Sequence, residues 1–359
     1  VIGNLFRKKE DKPNPNKPIK VEGDLLAFLK ANKDFYKEYE SKHLGKPQED
    51  IESEFKLGQD ILNLKINGIF EKLSRIIIIL PRYEFWTYIY LSIKFLNLGY
   101  KVTILYHKWT EEIVAEMQKY TNFLDYANLE FALLDNYSIN LEEKPYVINF
   151  TDTYKGIKNT VPAFSTAYIS ENADLDYAIE YIVNHAFSFG GLKKSNLKRV
   201  IIEENLYEEF VKKIQSKVFL GHTINKTLIR SKQTLEQFRE IVSVAISEGA
   251  EVLFGDASIS PDKHISNVIL ANVTLDMQVF QKKFYGPLLS LMNKKDIPIE
   301  KILKQQPSRG IVIFGNEKNQ LPPNFIYAYR TSNMQNKLDQ VLEDNPTLEY
   351  LIKYIIKNS

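Results

Sequence analysis

Between Arg75 and Phe314 the chain alternates short β-branched runs with segments of helical period, and this alternation limits the fold more than any other feature. "RIIIIL" has too many consecutive apolar residues for a strand with one wet face, and "KVTILY", "LEFALLD", "YVINFT", "STAYIS", "LKRVIIEE", "NVILANVT", "LLSLMNK" and "GIVIFG" read as further strands. Strands covered on both faces belong to parallel sheets flanked by helices. The intervening segments carry the helical period: about Phe85 to Leu98, ending at Gly99; "TEEIVAEMQKYTNFL" with Thr110 as a candidate N-cap; Leu175 to Ala186; "NLYEEFVKKIQSKV"; and "TLEQFREIVSVAIS". Strand–helix repetition of this kind predicts an α/β protein built from βαβ units. Upstream, "GDLLAFLKANKDFYKEYESKH" and "EFKLGQDILNLKINGIFEKL" read as two helices, and the segment after Asn336 is helical in pattern. Residues 1–20, basic and proline-bearing, read as a solvated tail.

Several function classes drop out. The turn after "RIIIIL" is Pro81-Arg82-Tyr83-Glu84, with no glycine, so a Gly-rich dinucleotide fingerprint and a P-loop are both absent. The sequence has no cysteine, which removes disulfides, Cys-ligated zinc and a thiol nucleophile together. The five histidines, His43, His107, His185, His222 and His264, are scattered, with no pair at helical metal-ligand spacing, so no metal site is expected. A formal net charge of +2 over 359 residues gives no global pull toward nucleic acid or membrane. The most apolar run, "RIIIILPRYEFWTYIYLSIKFL", is broken by Pro81, Arg82, Glu84 and Lys94, and no spanning helix is expected. Nor does Val1 to Lys20 read as a secretory leader.

The loop within "HAFSFGGLKKSNLKRVIIEE" is the main candidate site. Gly190 and Gly191 can bring backbone close to a ligand or simply turn a helix into a strand. Lys193 and Lys194 can bind an anion, form a Schiff base, or stand solvated. Asp152 and Thr153 follow a strand and suit a locally hydrogen-bonded turn.

The order of these segments resembles the NAD(P)-dependent aldehyde dehydrogenase superfamily. "ENADLDYAIEYIVNHAFSFGG", "KRVIIEENLYEEFVKKI", "AISEGAEVLFGD", "NVILANVTLDM" and "FYGPLLSL" look like the second half of such an enzyme. "IIIILPRYEFW" is similar to its strand into Pro-Trp-Asn, and "LNLGYKVTILYHKWTEE" to its Gly-Asn-x-Val-x-x-Lys-Pro-Ser-Glu. "VINFTDTYKG" is similar to its Phe-Thr-Gly-Ser-x-x-x-Gly. The resemblance implies two parallel-sheet α/β domains with a cleft between them: a degenerate dinucleotide-binding-like domain over 21–184, a catalytic-like domain over 185–335 and a C-terminal helical segment over 336–359.

Position by position, the resemblance implies a shortened and degenerate member. Gly-Gln-x-Cys falls on Gly190-Gly191-Leu192-Lys193, so Lys193 holds the nucleophile's place. The general-base glutamate falls near Thr160, and the asparagine that helps hold the oxyanion falls on Tyr83. Of the cofactor contacts, the adenosine-ribose lysine falls on Tyr106, the nicotinamide-ribose glutamate on Lys283, and the glycine of Phe-Thr-Gly-Ser on Asp152. A lysine cannot form the thiohemiacetal that precedes hydride transfer, and loss of one oxyanion donor alone costs about 3–4 kcal/mol of transition-state stabilisation.

The expected function is therefore a catalytically inactive pseudoenzyme, a scaffold, subunit or binding module, with no NAD(P) bound. The alternatives are a divergent oxidoreductase or carbonyl-binding enzyme using Lys193, and a nucleotide or metabolite sensor. The family assembles as dimers or dimer-based tetramers, so a homo-oligomer or protein partner is the expected association, without nucleic acid or membrane. The expected compartment is the cytoplasm or an organelle matrix.

Overall fold

The computed structural model describes residues 25–64, 75–81, 83–121, 128–151, 161–220, 227–229, 231–256, 264–315, 321–332, 342 and 345–358. It contains two largely parallel sheets. The first has the order β3-β2-β1-β4, from β1 (Arg75–Ile79), β2 (Lys101–Tyr106), β3 (Leu129–Leu133) and β4 (Tyr146–Asn149), all parallel. The isoleucine run alternates across β1. Ile76 and Ile78 enter the large core on one face, whereas Ile77 and Ile79 join a smaller cluster with Leu105, Leu134 and Val147 on the other. Every one of these four is buried, which is why the run has no polar alternation.

The large face is covered by α1 (Leu25–Ala31), α2 (Lys33–Leu44), α3 (Gln48–Asn63), α4 (Trp86–Asn97) and α5 (Glu111–Thr121). The first predicted helix is two, split at Asn32, whose side-chain amide donates to the Phe28 carbonyl. Thr110 does not cap α5; its hydroxyl donates back to the His107 carbonyl within a helical turn over Lys108–Thr110. Gly99 closes α4 at φ +88°, as its position after the helix requires.

The second sheet has seven strands in the order β13-β12-β5-β6-β11-β10-β8. They are β5 (Thr166–Ile169), β6 (Arg199–Ile202), β8 (Glu251–Phe254), β10 (Val268–Ala271), β11 (Leu288–Asn293), β12 (Gly310–Phe314) and β13 (Ile326–Arg330). All pairs are parallel except β8 with β10. A separate small pair joins β7 (Thr227–Leu228) to β9 (His264–Ile265). Helices α6 (Leu175–Phe187) and α7 (Glu204–Leu220) pack on one face, and α8 (Lys232–Ser247) and α10 (Ile299–Gln305), with the short α9 (Gln278–Gln281) between them in sequence, on the other. Asp174 caps α6, its side chain accepting from the Tyr177 N–H at 3.1 Å.

The change of sheet falls between Asn149 and Thr166, upstream of the 184/185 boundary expected from the sequence. β5 and α6 are built into the second sheet because Thr166–Ile169 pairs with both β6 and β12. The last helix, α11 (Pro346–Asn358), returns to the first sheet and places Leu348, Leu351 and Ile352 in its large core. No helix among the described residues is long and apolar enough to cross a membrane.

Candidate functional site: a basic cleft beside a glycine loop

The loop from Ser188 to Gly191 is fixed by two close approaches. Gly191 stands at φ +65°, and a Cβ there would lie 2.1 Å from the Gly286 carbonyl oxygen, so only glycine fits. The Gly286 N–H donates to the Gly191 carbonyl at 2.9 Å, joining this loop to the one before β11. Lys198 completes the join: its ammonium donates to the carbonyls of Gly191 and Gly286, each at 2.6 Å. Phe189, unusually for a non-glycine residue, has φ +52°. Its N–H donates to the Asp50 carboxylate of α3 at 2.7 Å, so the helical arm holds the loop from the far side.

Behind the loop lies a buried ionic cluster that sequence reasoning missed. Lys46 pairs with Glu40 at 3.1 Å and with Glu54 in a shorter contact. Glu54 also accepts from the N–H groups of Phe85 and Trp86 at 2.9 and 2.8 Å, satisfying orphan donors at the start of α4. Glu84 lies 3.4 Å from the Lys193 ammonium and accepts from the Asn345 amide at 3.2 Å. Burial pushes the Glu84 carboxyl above its ordinary range, against the pull of Lys193. Lys193 also sits 4.1 Å from the centre of the Phe189 ring. The only local hint of the cluster was an acidic residue, Glu84, between a buried strand and an aromatic helix start.

On the open side of the loop is a cleft of about 570 Å³. Its floor is the N-terminal ends of the second sheet's strands: Ser165 before β5, Lys198 and Arg199 at β6, and Ser308 and Arg309 before β12. One wall is edge strand β4, another is α11 with Tyr350 and Tyr354. Arg199 is buried, and its guanidinium donates to the carbonyls of Phe280 and Lys282.

The cleft brings together Lys193, Lys194 and Lys283 of the sequence-predicted positions. Tyr83 and Tyr106 are not among its described lining residues. Tyr83 packs half-buried against the second sheet's core, and Tyr106, at the end of β2, is buried in the first. Asp152 and Thr160 lie outside the described residues. Among the described residues no group of three or more His, Asp or Glu side chains converges as a metal site. His185 instead stacks on Tyr181, with ring centres 3.7 Å apart.

Residues 151–302, which carry the glycine loop, Lys283 and most of the second sheet, match the aldehyde dehydrogenase family. Over that stretch, less than half of its length, the chain is similar to the aldehyde dehydrogenase family. Solved aldehyde dehydrogenases share the fold. NADP-dependent glyceraldehyde-3-phosphate dehydrogenase from Bacillus halodurans C-125 superposes with a TM-score of 0.68 at 15% identity, over 87% of this chain and 77% of that one. An NAD-dependent benzaldehyde dehydrogenase from Corynebacterium glutamicum gives 0.67 at 14% identity, over 92% and 80%. In sequence, 1-pyrroline-5-carboxylate dehydrogenase of Staphylococcus haemolyticus (strain JCSC1435) is 27% identical over 127 residues, 34% of this chain. Alpha-ketoglutaric semialdehyde dehydrogenase of Bacillus subtilis (strain 168) is 26% identical over 141 residues, 36% of this chain. These matches span 25% and 29% of the two relatives' own length.

Proposed function

We propose that this aldehyde dehydrogenase-like chain does not carry out thiol-dependent aldehyde oxidation and serves as a binding module, scaffold or subunit. The observation that carries this reading is the residue at the nucleophile's place. Counted from Gly190, the Gly-Gln-x-Cys pattern ends on Lys193. Counted from Gly191, the glycine whose Cβ cannot fit, it ends on Lys194. Both registers give a lysine, both lysines line the cleft, and the chain contains no cysteine to take over. Lys193 is in addition engaged by Glu84 and the Phe189 ring.

The family's dinucleotide does not fit the residues present. Tyr106 puts a buried phenol where the resemblance expects a ribose-binding lysine. Lys283 puts an ammonium where a carboxylate would accept the nicotinamide ribose hydroxyls, and a cation there cannot accept a hydrogen bond. No hydride-transfer step is therefore derived for this chain.

The purified chain, given aliphatic and aromatic aldehydes with NAD+ or NADP+, is expected to produce no reduced nicotinamide above background at 340 nm; sustained turnover refutes the proposal. Carbonyl capture by Lys193 is a second reading, favoured by the adjacent Glu84 carboxyl as a proton donor and acceptor. It would require Lys193 to give up both present contacts. Borohydride reduction with an aldehyde, followed by peptide mass mapping, decides between them: a reduced adduct on Lys193 or Lys194 establishes capture.

A further inference from the structure

Lys198 and Arg199 are both nearly inaccessible, adjacent, and at the floor of the cleft. Their described partners are backbone carbonyls, two for each, with no carboxylate. An ammonium has three donor hydrogens and a guanidinium five, so both retain donors that these carbonyls do not take. The Phe284 ring lies 5.6 Å from the Lys198 ammonium and 5.4 Å from the Arg199 guanidinium, which keeps this corner apolar otherwise. Two cations held side by side in such a place are expensive unless an anion joins them. Burial accordingly draws both below their ordinary pKa, and for Lys198 the neighbouring Arg199 adds to the effect.

The rest of the cleft has the same sign. Lys193, Lys194, Lys283 and Arg309 line it as well, and none of its described lining residues is acidic. Low-dielectric walls carrying one sign of charge concentrate the field on the space between them. The volume, about 570 Å³, suits a metabolite rather than a macromolecule.

We propose that this cleft binds a small, multiply charged oxyanion, a phosphate ester or polycarboxylate, with one oxyanion seated on Lys198 and Arg199 and the remaining charge facing Lys283 and Arg309 at the rim. The proposal goes beyond the loss of thiol chemistry and does not depend on it. Turnover of an aldehyde would end the earlier reading and leave this one standing, whereas failure to bind anions would end this one alone.

The test is calorimetric titration of the full chain at low ionic strength with pyrophosphate, citrate and NADP+ as probes. Saturable binding of pyrophosphate or citrate is expected, and the tighter of the two identifies the phosphate or the carboxylate class. The exposed-rim variants Arg309→Glu and Lys283→Glu should each weaken it by roughly tenfold or more, and salt should weaken it in the parent chain. Arg199→Leu should abolish binding where circular dichroism shows the fold retained. The rim variants keep the proposal refutable if that interior change unfolds the chain. Absence of saturable heat from both small anions, or binding unchanged in both rim variants, overturns the proposal. So does binding of NADP+ alone.

Discussion

Asp50 offers the sharpest check on the contact between the helical arm and the glycine loop. Its carboxylate accepts the Phe189 N–H and stands close enough to Lys193 to feel its charge. Burial nevertheless dominates and pushes Asp50 from 3.8 up to about 6. A carboxyl whose pKa is higher in the folded state binds its proton more tightly there than in the unfolded chain. Its contribution is therefore full below about pH 4 and is lost as the pH rises through about 6. Each tenfold difference in proton affinity between the two states is worth about 1.4 kcal/mol, so the loss is at most roughly 3 kcal/mol; partial solvent contact brings the expectation to about 2 kcal/mol. Asp50→Asn keeps an oxygen for the Phe189 N–H and removes the titration. Part of that loss falls below pH 4.5, so urea unfolding at pH 4.5 and pH 7 should show the parent losing about 1 kcal/mol more between those values than the variant does. Glu40 and Glu84, also raised by burial, act in both chains and largely cancel in that difference. Equal pH dependence in the two chains, or a steeper one in the variant, refutes the reasoning.

Lys46→Met leaves Glu40 and Glu54 buried without their cation and should cost on the order of 3–5 kcal/mol, read from the urea midpoint; Glu40→Gln in the same chain should recover part of it. A loss under about 1 kcal/mol would mean that the cluster is solvated in solution. Gly191→Ala meets the Gly286 carbonyl at a backbone angle that already disfavours a side chain, so a loss of about 2 kcal/mol or more is expected in the same assay. Asn345→Ala removes a donor from Glu84 and the side-chain acceptor of the Leu348 N–H at the start of α11; a loss of about 1–2 kcal/mol is expected, measured by thermal unfolding.

The layers of this protein were legible because burying a β-branched run is a local requirement. "RIIIIL", "KVTILY" and "GIVIFG" state in their own composition that both faces are covered, and each is a parallel strand. The breaks were legible where chain geometry is special, as at Gly99. The sheet boundary was not, since "STAYIS" looks the same whichever sheet receives it; pairing with β6 and β12 decides. "IYAYR" does not announce itself as a strand, because it is a half-buried edge segment ending on a charge, and Arg330 is accommodated there by the Glu349 carboxylate of α11 together with Tyr181 of α6. The lysines of the glycine loop were visible as residues, but their surroundings were not. Glu84 and Lys193, Glu54 and Trp86, and Asp50 and Phe189 are brought together by tertiary packing across 109, 32 and 139 positions of sequence. Of the cleft's cations, Lys193, Lys194 and Lys283 stood out in the sequence, whereas the pair Lys198-Arg199, opening an apolar strand, did not. Sequence alone determined which segments must be buried, since transfer from water depends on side-chain composition. Only the folded chain decided which charges meet, because an ion pair or an anion site depends on distance and desolvation, and neither is encoded in any single segment.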